Sequence, residues 1–242
     1  MLFVYDGSLE GFLTAVFEAY RLKIVPEIVT AENYQKGLFD EIQQITADPA
    51  KAARVSAKLR ELEIFYNVQC CYLSSFPDKE KIIFNYVRKT LSAGRSLDGN
   101  YADPDIASAL ECLRRVAREA ERLKGLLRFQ ELSDGSFYAA CEPDHGVLPL
   151  LAGHCRARFS AQNWLIHDVR RGLALIYQDC QLNLFSAVDL QDARGKYSAR
   201  ESHYQELWKT FWRAVAIQER KNPKLQRQFM PKRYWKYLVE KN

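Results

Sequence analysis

The hydrophobic positions of this chain change period along its length, and the changes mark out three stretches. Near the start, Leu9, Phe12, Leu13, Val16, Phe17 and Tyr20 recur at helical spacing, which predicts an amphipathic helix behind a short buried strand at LFVY. Asp6 or Ser8 is its expected cap, and Pro26 its expected stop. LFDEIQQIT (38–46) predicts a weaker strand. Asp48-Pro49 then opens a helix that buries Ala52, Val55, Leu59, Leu62 and Tyr66, with proline at the first helical position, where its missing N–H costs nothing. A further helix from Asp78 carries Ile82, Ile83, Val87 and Leu91. The polar run SAGRSLDGNYADP (92–104) predicts a loop and a domain boundary.

Asp103-Pro104 opens another helix, to about Lys124. Arg114, Arg118 and Arg122 form a row along it, but Glu111, Glu121 and Glu119 each stand three positions from one of them. Local pairing therefore accounts for the row.

After residue 125 the period becomes two. LLRFQELSDGSFYAAC predicts a hairpin turning at Asp134-Gly135, and GVLPLLAGHCRARF a helix. NWLIHDVRRGLALIYQD predicts a second hairpin turning at Arg171-Gly172, and QLNLFSA a fifth strand. Helical spacing then returns. Ser198 and Glu201 suggest a capping box. Tyr204, Leu207, Trp208, Phe211, Trp212 and Val215 form a broad apolar stripe, and Asn222-Pro223 and Met230-Pro231 restart the helix twice. The expected class is α+β: a helix-rich part over 1–100, a helix with an antiparallel β-β-α-β-β-β sheet over 101–192, and a basic, aromatic helical part over 193–242. The three are also compatible with one compact domain.

Composition adds two points. At 242 residues and 48% hydrophobic the chain can bury a substantial core. The net charge of +5 is unevenly spread: residues 193–242 hold thirteen Lys/Arg against four Asp/Glu, a balance of +9, which leaves −4 for the rest. Such a local excess is the footprint expected for a polyanion, or equally for a solvated helical face. No apolar run is long enough for a membrane span and the N-terminus lacks a basic leader, so a cytoplasmic protein is expected. The six cysteines include no C-x-x-C pair. Cys141, His145, His154 and Cys155 match no common zinc spacing, so no metal or other cofactor is expected.

Candidate chemistry is sparse. Glycine-loop, nucleophile-elbow and zinc-deaminase motifs are missing, which argues against nucleotide hydrolysis, dinucleotide, esterase and deaminase chemistry. IHDVRRG (166–172) is the polar cluster within an apolar hairpin. In a strand, His167 and Asp168 point to opposite faces, so each is a candidate acid or base but not half of a dyad, and a structural role for His167 stands beside that. Arg170 and Arg171 at the turn suit phosphate, because arginine forks match its oxygens.

YDGSLEGFLTAVFEAY, HGVLPLLAGHCRARF, WLIHDVRRGLALIY and ERKNPKLQRQFMPKRYWKYL together resemble, in order and over nearly the whole chain, a bacterial family of DNA-repair or DNA-metabolism proteins without established activity. Members of that family accompany a radical-SAM protein of DNA modification or repair, and elsewhere the domain precedes a uracil-DNA glycosylase-like domain. The resemblance implies a DNA-repair setting and a radical-SAM partner, which would own any cluster. It supplies no catalytic residues. With DNA as ligand, Lys221, Lys224, Arg227, Lys232, Arg233 and Lys236 are candidates to neutralise phosphates, and Tyr234, Trp235 or Tyr237 to stack on an unpaired base. At helical spacing, however, Tyr234, Tyr237 and Leu238 share a face and could instead close the core. The leading expectation is a DNA-binding accessory or adaptor; the alternatives are an enzyme acting on damaged nucleotides and a partner-binding protein without DNA contact.

Overall fold

The structure, a computed structural model, describes residues 1–34, 41–186 and 196–242. It divides into two compact units, Met1–Ala117 and Arg118–Asn242, with the division inside one long helix.

The first unit is built on a three-stranded parallel sheet. Strand β1 (Leu2–Tyr5) lies between β2 (Glu27–Thr30) and β3 (Ile42–Ile45). Helix α1 (Leu9–Leu22) makes the β1-to-β2 crossover that parallel pairing requires. Ser8 caps it by accepting the Gly11 N–H, and it stops at Lys23, whose left-handed backbone closes the last turn before Pro26 is reached. Helices α2 (Pro49–Glu61), α3 (Phe65–Tyr72) and α4 (Lys79–Ala93) follow. Phe3, Phe12, Val16, Leu59, Ile64 and Ile83 meet in the core. One expectation needs correction, and one strand, β2, has no counterpart in the sequence pattern. The helix expected to run through Tyr66 breaks at Glu63, which takes a left-handed φ of 60° and lets α3 start in a new direction. The strand β2, four residues long, was too short to show a period. Residues 38–40 of the expected LFDEIQQIT strand lie outside the described residues.

Helix α5 (Pro104–Leu126) enters the first core through Ile106, Ala109 and Cys112. Its later turns, with Ala120, Leu123 and Leu126 buried, belong to the second unit. There, β4 (Gln130–Glu131), β5 (Phe137–Cys141), β6 (Trp164–Asp168), β7 (Leu173–Gln178) and β8 (Gln181–Phe185) form one sheet in that order. The Asp134-Gly135 and Arg171-Gly172 hairpins form, with Gly135 and Gly172 both at positive φ. The sheet is nevertheless mixed and not antiparallel throughout: β5 and β6 pair in parallel, because α6 (Leu148–Arg158) carries the chain back to the same end of the sheet. Trp164 lies stacked on Tyr177 with ring centroids 5.2 Å apart.

Beyond the sheet run α7 (Glu201–Ala214) and α8 (Pro223–Phe229), then a 3-10 strap over Lys232–Tyr237 and Val239–Lys241. The Ser198/Glu201 capping box does not form. Glu201 is turned inward instead, where its carboxylate accepts the N–H of Glu131 at 2.9 Å and the amide of Gln205 at 2.9 Å. Among the described residues no helix is long and apolar enough to cross a membrane.

Candidate nucleic-acid interface

A buried carboxylate organises the end of the chain. Glu119 on α5 is only 3% exposed. It accepts the backbone N–H groups of Asp144 at 2.9 Å and His145 at 2.7 Å, the Arg233 guanidinium at 3.1 Å, and the Tyr234 hydroxyl. Arg233 also meets Asp144 at 2.8 Å. Farther along the strap, Glu142 receives Lys236 at 2.7 Å and the Tyr237 hydroxyl at 2.6 Å. Glu240 receives Arg128 at 2.7 Å and the Trp208 indole at 2.9 Å. Burial alone would raise the Glu240 pKa, but the Arg128 and Trp208 donors outweigh it and hold the carboxyl below its ordinary value. The strap thus places Tyr234 and Leu238 inside the core. Trp235 is half-buried; it donates to the Met230 carbonyl and lies under the Lys241 ammonium, 4.8 Å from its ring centroid.

The IHDVRRG cluster lies in the same unit. Both faces of β6 are covered, so His167 and Asp168 are each buried although they point in opposite directions. Asp168 accepts the backbone N–H groups of Arg170 and Arg171, and the Arg171 guanidinium at 2.9 Å. Arg171 reaches on to the carbonyls of Pro143 and Asp144. It thereby ties the β6–β7 turn to the loop that follows β5. Arg170 remains exposed. His167 Nδ1 is 3.0 Å from the Tyr138 hydroxyl. Beside Asp168, burial pushes the Cys141 thiol pKa up, and the Asp168 and Glu119 carboxylates push it the same way. Among the described residues no three metal-ligating side chains converge.

His167→Ala is expected to lower stability by about 1–3 kcal/mol, through a cavity and the lost Tyr138 contact. If the parent binds DNA, the folded fraction of the variant is expected to bind it equally well. A variant that keeps its melting temperature but loses binding would assign His167 to a functional site.

The segment between the sheet and the strap is arranged differently. On α7, α8 and the turn joining them, Arg213, Arg220, Lys221, Lys224 and Arg227 are exposed and form no ion pair among the described residues. Lys232 is exposed as well, with its ammonium 6.0 Å from the Trp235 ring. Large apolar side chains stand among these cations: Phe211 is 56% exposed, Val215 56% and Phe229 64%. The α7 stripe therefore faces outward along much of its length. Through Tyr204, Leu207, Trp208 and Phe211 the same stripe forms one wall of an open groove of about 1180 Å³, whose other side is made by α6 and the end of α5.

A model of a domain of unknown function, DUF4130, matches residues 77–240. The chain belongs to the DUF4130 family. No curated protein and no solved structure matches it. The matched DUF4130 region contains Glu119, the IHDVRRG hairpin, the cation-bearing α7–α8 segment and nearly all of the strap.

Within the DUF4130 region the candidates fall into two groups by environment. Arg171, Arg233, Tyr234 and Lys236 make polar contacts to distant residues of their own unit, Arg233 and Lys236 while still exposed. Arg170, Lys221, Lys224 and Lys232 are exposed, and Arg227 donates, among the described residues, only to the Pro223 carbonyl one turn back. Sequence reasoning missed Glu142 and Glu240 and assigned Glu119 to local pairing along the α5 arginine row. Glu111 does pair with Arg114, but Glu121 pairs with Lys124 and Glu119 turns inward to help hold the strap. One signal was present: Glu119 falls on the apolar face of α5 set by Val116, Ala120 and Leu123. A carboxylate at such a position has to find several donors.

Proposed function

We propose that this chain is a DNA-binding accessory or adaptor in bacterial DNA repair or modification. The observation that carries the reading is the contrast between the strap and the segment before it. Strap cations Arg233 and Lys236 meet carboxylates, while Arg213, Arg220, Lys221, Lys224 and Arg227 have none within reach among the described residues. Cations held out in solvent without counter-charges are available to phosphates. The radical-SAM partner is the companion that the family resemblance implies.

The test is binding of labelled duplex and single-stranded DNA by the intact chain between about 50 and 200 mM salt, the range over which phosphate contacts lose most of their affinity. Affinity is expected to fall steeply, linearly on a log–log plot. No binding at the lowest salt, or binding insensitive to salt, would leave the reading without support.

A further inference from the structure

We infer that the groove between α5, α6 and α7 receives unpaired bases of a single strand whose phosphates lie along the α7–α8 cations. The inference rests on the DNA-binding reading and assigns it a second contact. The groove lies wholly within the second unit, and its walls carry six aromatic rings, Phe129, Phe137, Phe159, Tyr204, Trp208 and Phe211. Its aliphatic lining is small by comparison: Leu127, Leu207 and Val239, besides the stem atoms of polar residues. Aromatic-lined grooves also seat Pro-rich peptide segments, but the exposed cations that follow this one on α7 and α8 favour a polyanion. Flat rings suit flat ligands, and every base offers a π-face.

Three further features fit bases. Guanidinium groups already lie over two of the wall rings, Arg128 at 5.2 Å from Trp208 and Arg158 at 5.6 Å from Phe159. Arg158 brings positive charge to the rim, while Arg128, its charge already met by Glu240, adds a flat face beside Trp208. Glu131 and Gln205 supply polar atoms within the lining, which base edges can meet. Finally, the groove and the cation run meet on one helix: Phe211 lies two residues and Trp208 five residues before Arg213 on α7, so the cations follow the rings along the chain while pointing to a different side of the helix. A strand drawn along α7 by its phosphates has ring faces beside it. A duplex, whose bases are already stacked and paired, cannot use them. The volume, about 1180 Å³, exceeds what one drug-sized ligand needs, in keeping with more than one nucleotide.

Tyr204 and Phe211 give the cleanest test, because both are more than half exposed and their truncation leaves the core intact. Four measurements are made on the intact chain: affinity for a single strand, for a duplex of equal length, for a strand with abasic sites in place of its central bases, and the salt slope of each. The parent is expected to bind the complete single strand more tightly than the abasic one. Tyr204→Ala and Phe211→Ala are each expected to weaken single-strand binding about 5- to 150-fold. Duplex affinity, abasic-strand affinity, salt slopes and melting temperature should not change. If the parent binds duplex with a steep salt slope but does not distinguish complete from abasic strands, the inference fails and the DNA-binding reading stands. The inference also fails if both variants bind every ligand as the parent does, or if duplex and single strand weaken equally. If the parent binds no DNA at low salt, both readings fail together.

Discussion

Glu119→Ala is expected to destabilise the second unit by about 3–5 kcal/mol, the range for removing one member of a buried charged network. The carboxylate satisfies two backbone N–H groups, a guanidinium and a phenol at once. Alanine leaves these donors facing a cavity that none of them can fill. It also frees the strap at its first attachment, so near-ultraviolet signals from Trp235 should change with the global unfolding signal. Glu119→Gln keeps one acceptor oxygen but turns an amide N–H₂ toward donors, and is expected to fall between parent and alanine. Urea titration provides the measurement, with a lower midpoint at nearly constant slope. A midpoint for Glu119→Ala within error of the parent would mean that the strap is held by its apolar residues and that the carboxylate is incidental.

The second large effect is on binding. Replacing Arg213, Lys221, Lys224 and Arg227 by serine should leave the melting temperature almost unchanged, because each is exposed and unpaired among the described residues. If all four touch phosphates, the slope of log K against log salt should shrink by about 3, at roughly 0.7–0.9 per lost contact. A control variant with Arg233 and Lys236 changed instead should lose stability, since it removes the partners of Glu119 and Glu142. The two variants therefore separate charge that binds from charge that braces. An unchanged slope in the fourfold variant would leave the proposed phosphate contacts on α7 and α8 without support.

Legibility in the sequence followed the length of the repeating pattern. Helix α1 and the long helix α5 each offer several turns of apolar spacing, and both lie close to where that spacing puts them. Strand β2, with four residues, offers no period to read. The parallel pairing of β5 with β6 was legible in principle, because a helix between two adjacent strands of one sheet normally returns the chain to its starting end. The alternating pattern alone says nothing about direction. The apolar stripe of α7 was correctly placed on a helix, but spacing does not report whether a face is covered. For the site, the basic character of residues 193–242 was evident from composition. The division between bracing and free cations was not, because it depends on carboxylates at 119, 142 and 240, two of them far away in sequence.

That separation has a kinetic consequence. Arg233 meets Glu119 across 114 residues, Arg128 meets Glu240 across 112, and Lys236 meets Glu142 across 94. Closing the first such loop costs about 4 kcal/mol of chain entropy by logarithmic scaling, whichever contact forms first. Once it has formed, the remaining partners are held at high effective concentration and add their contacts at little further cost. The strap should therefore engage late in folding and in one step, as a latch. Amides of residues 232–241 should exchange with solvent as a single block, opening together at a free energy set by the whole set of contacts and not by the weakest of them.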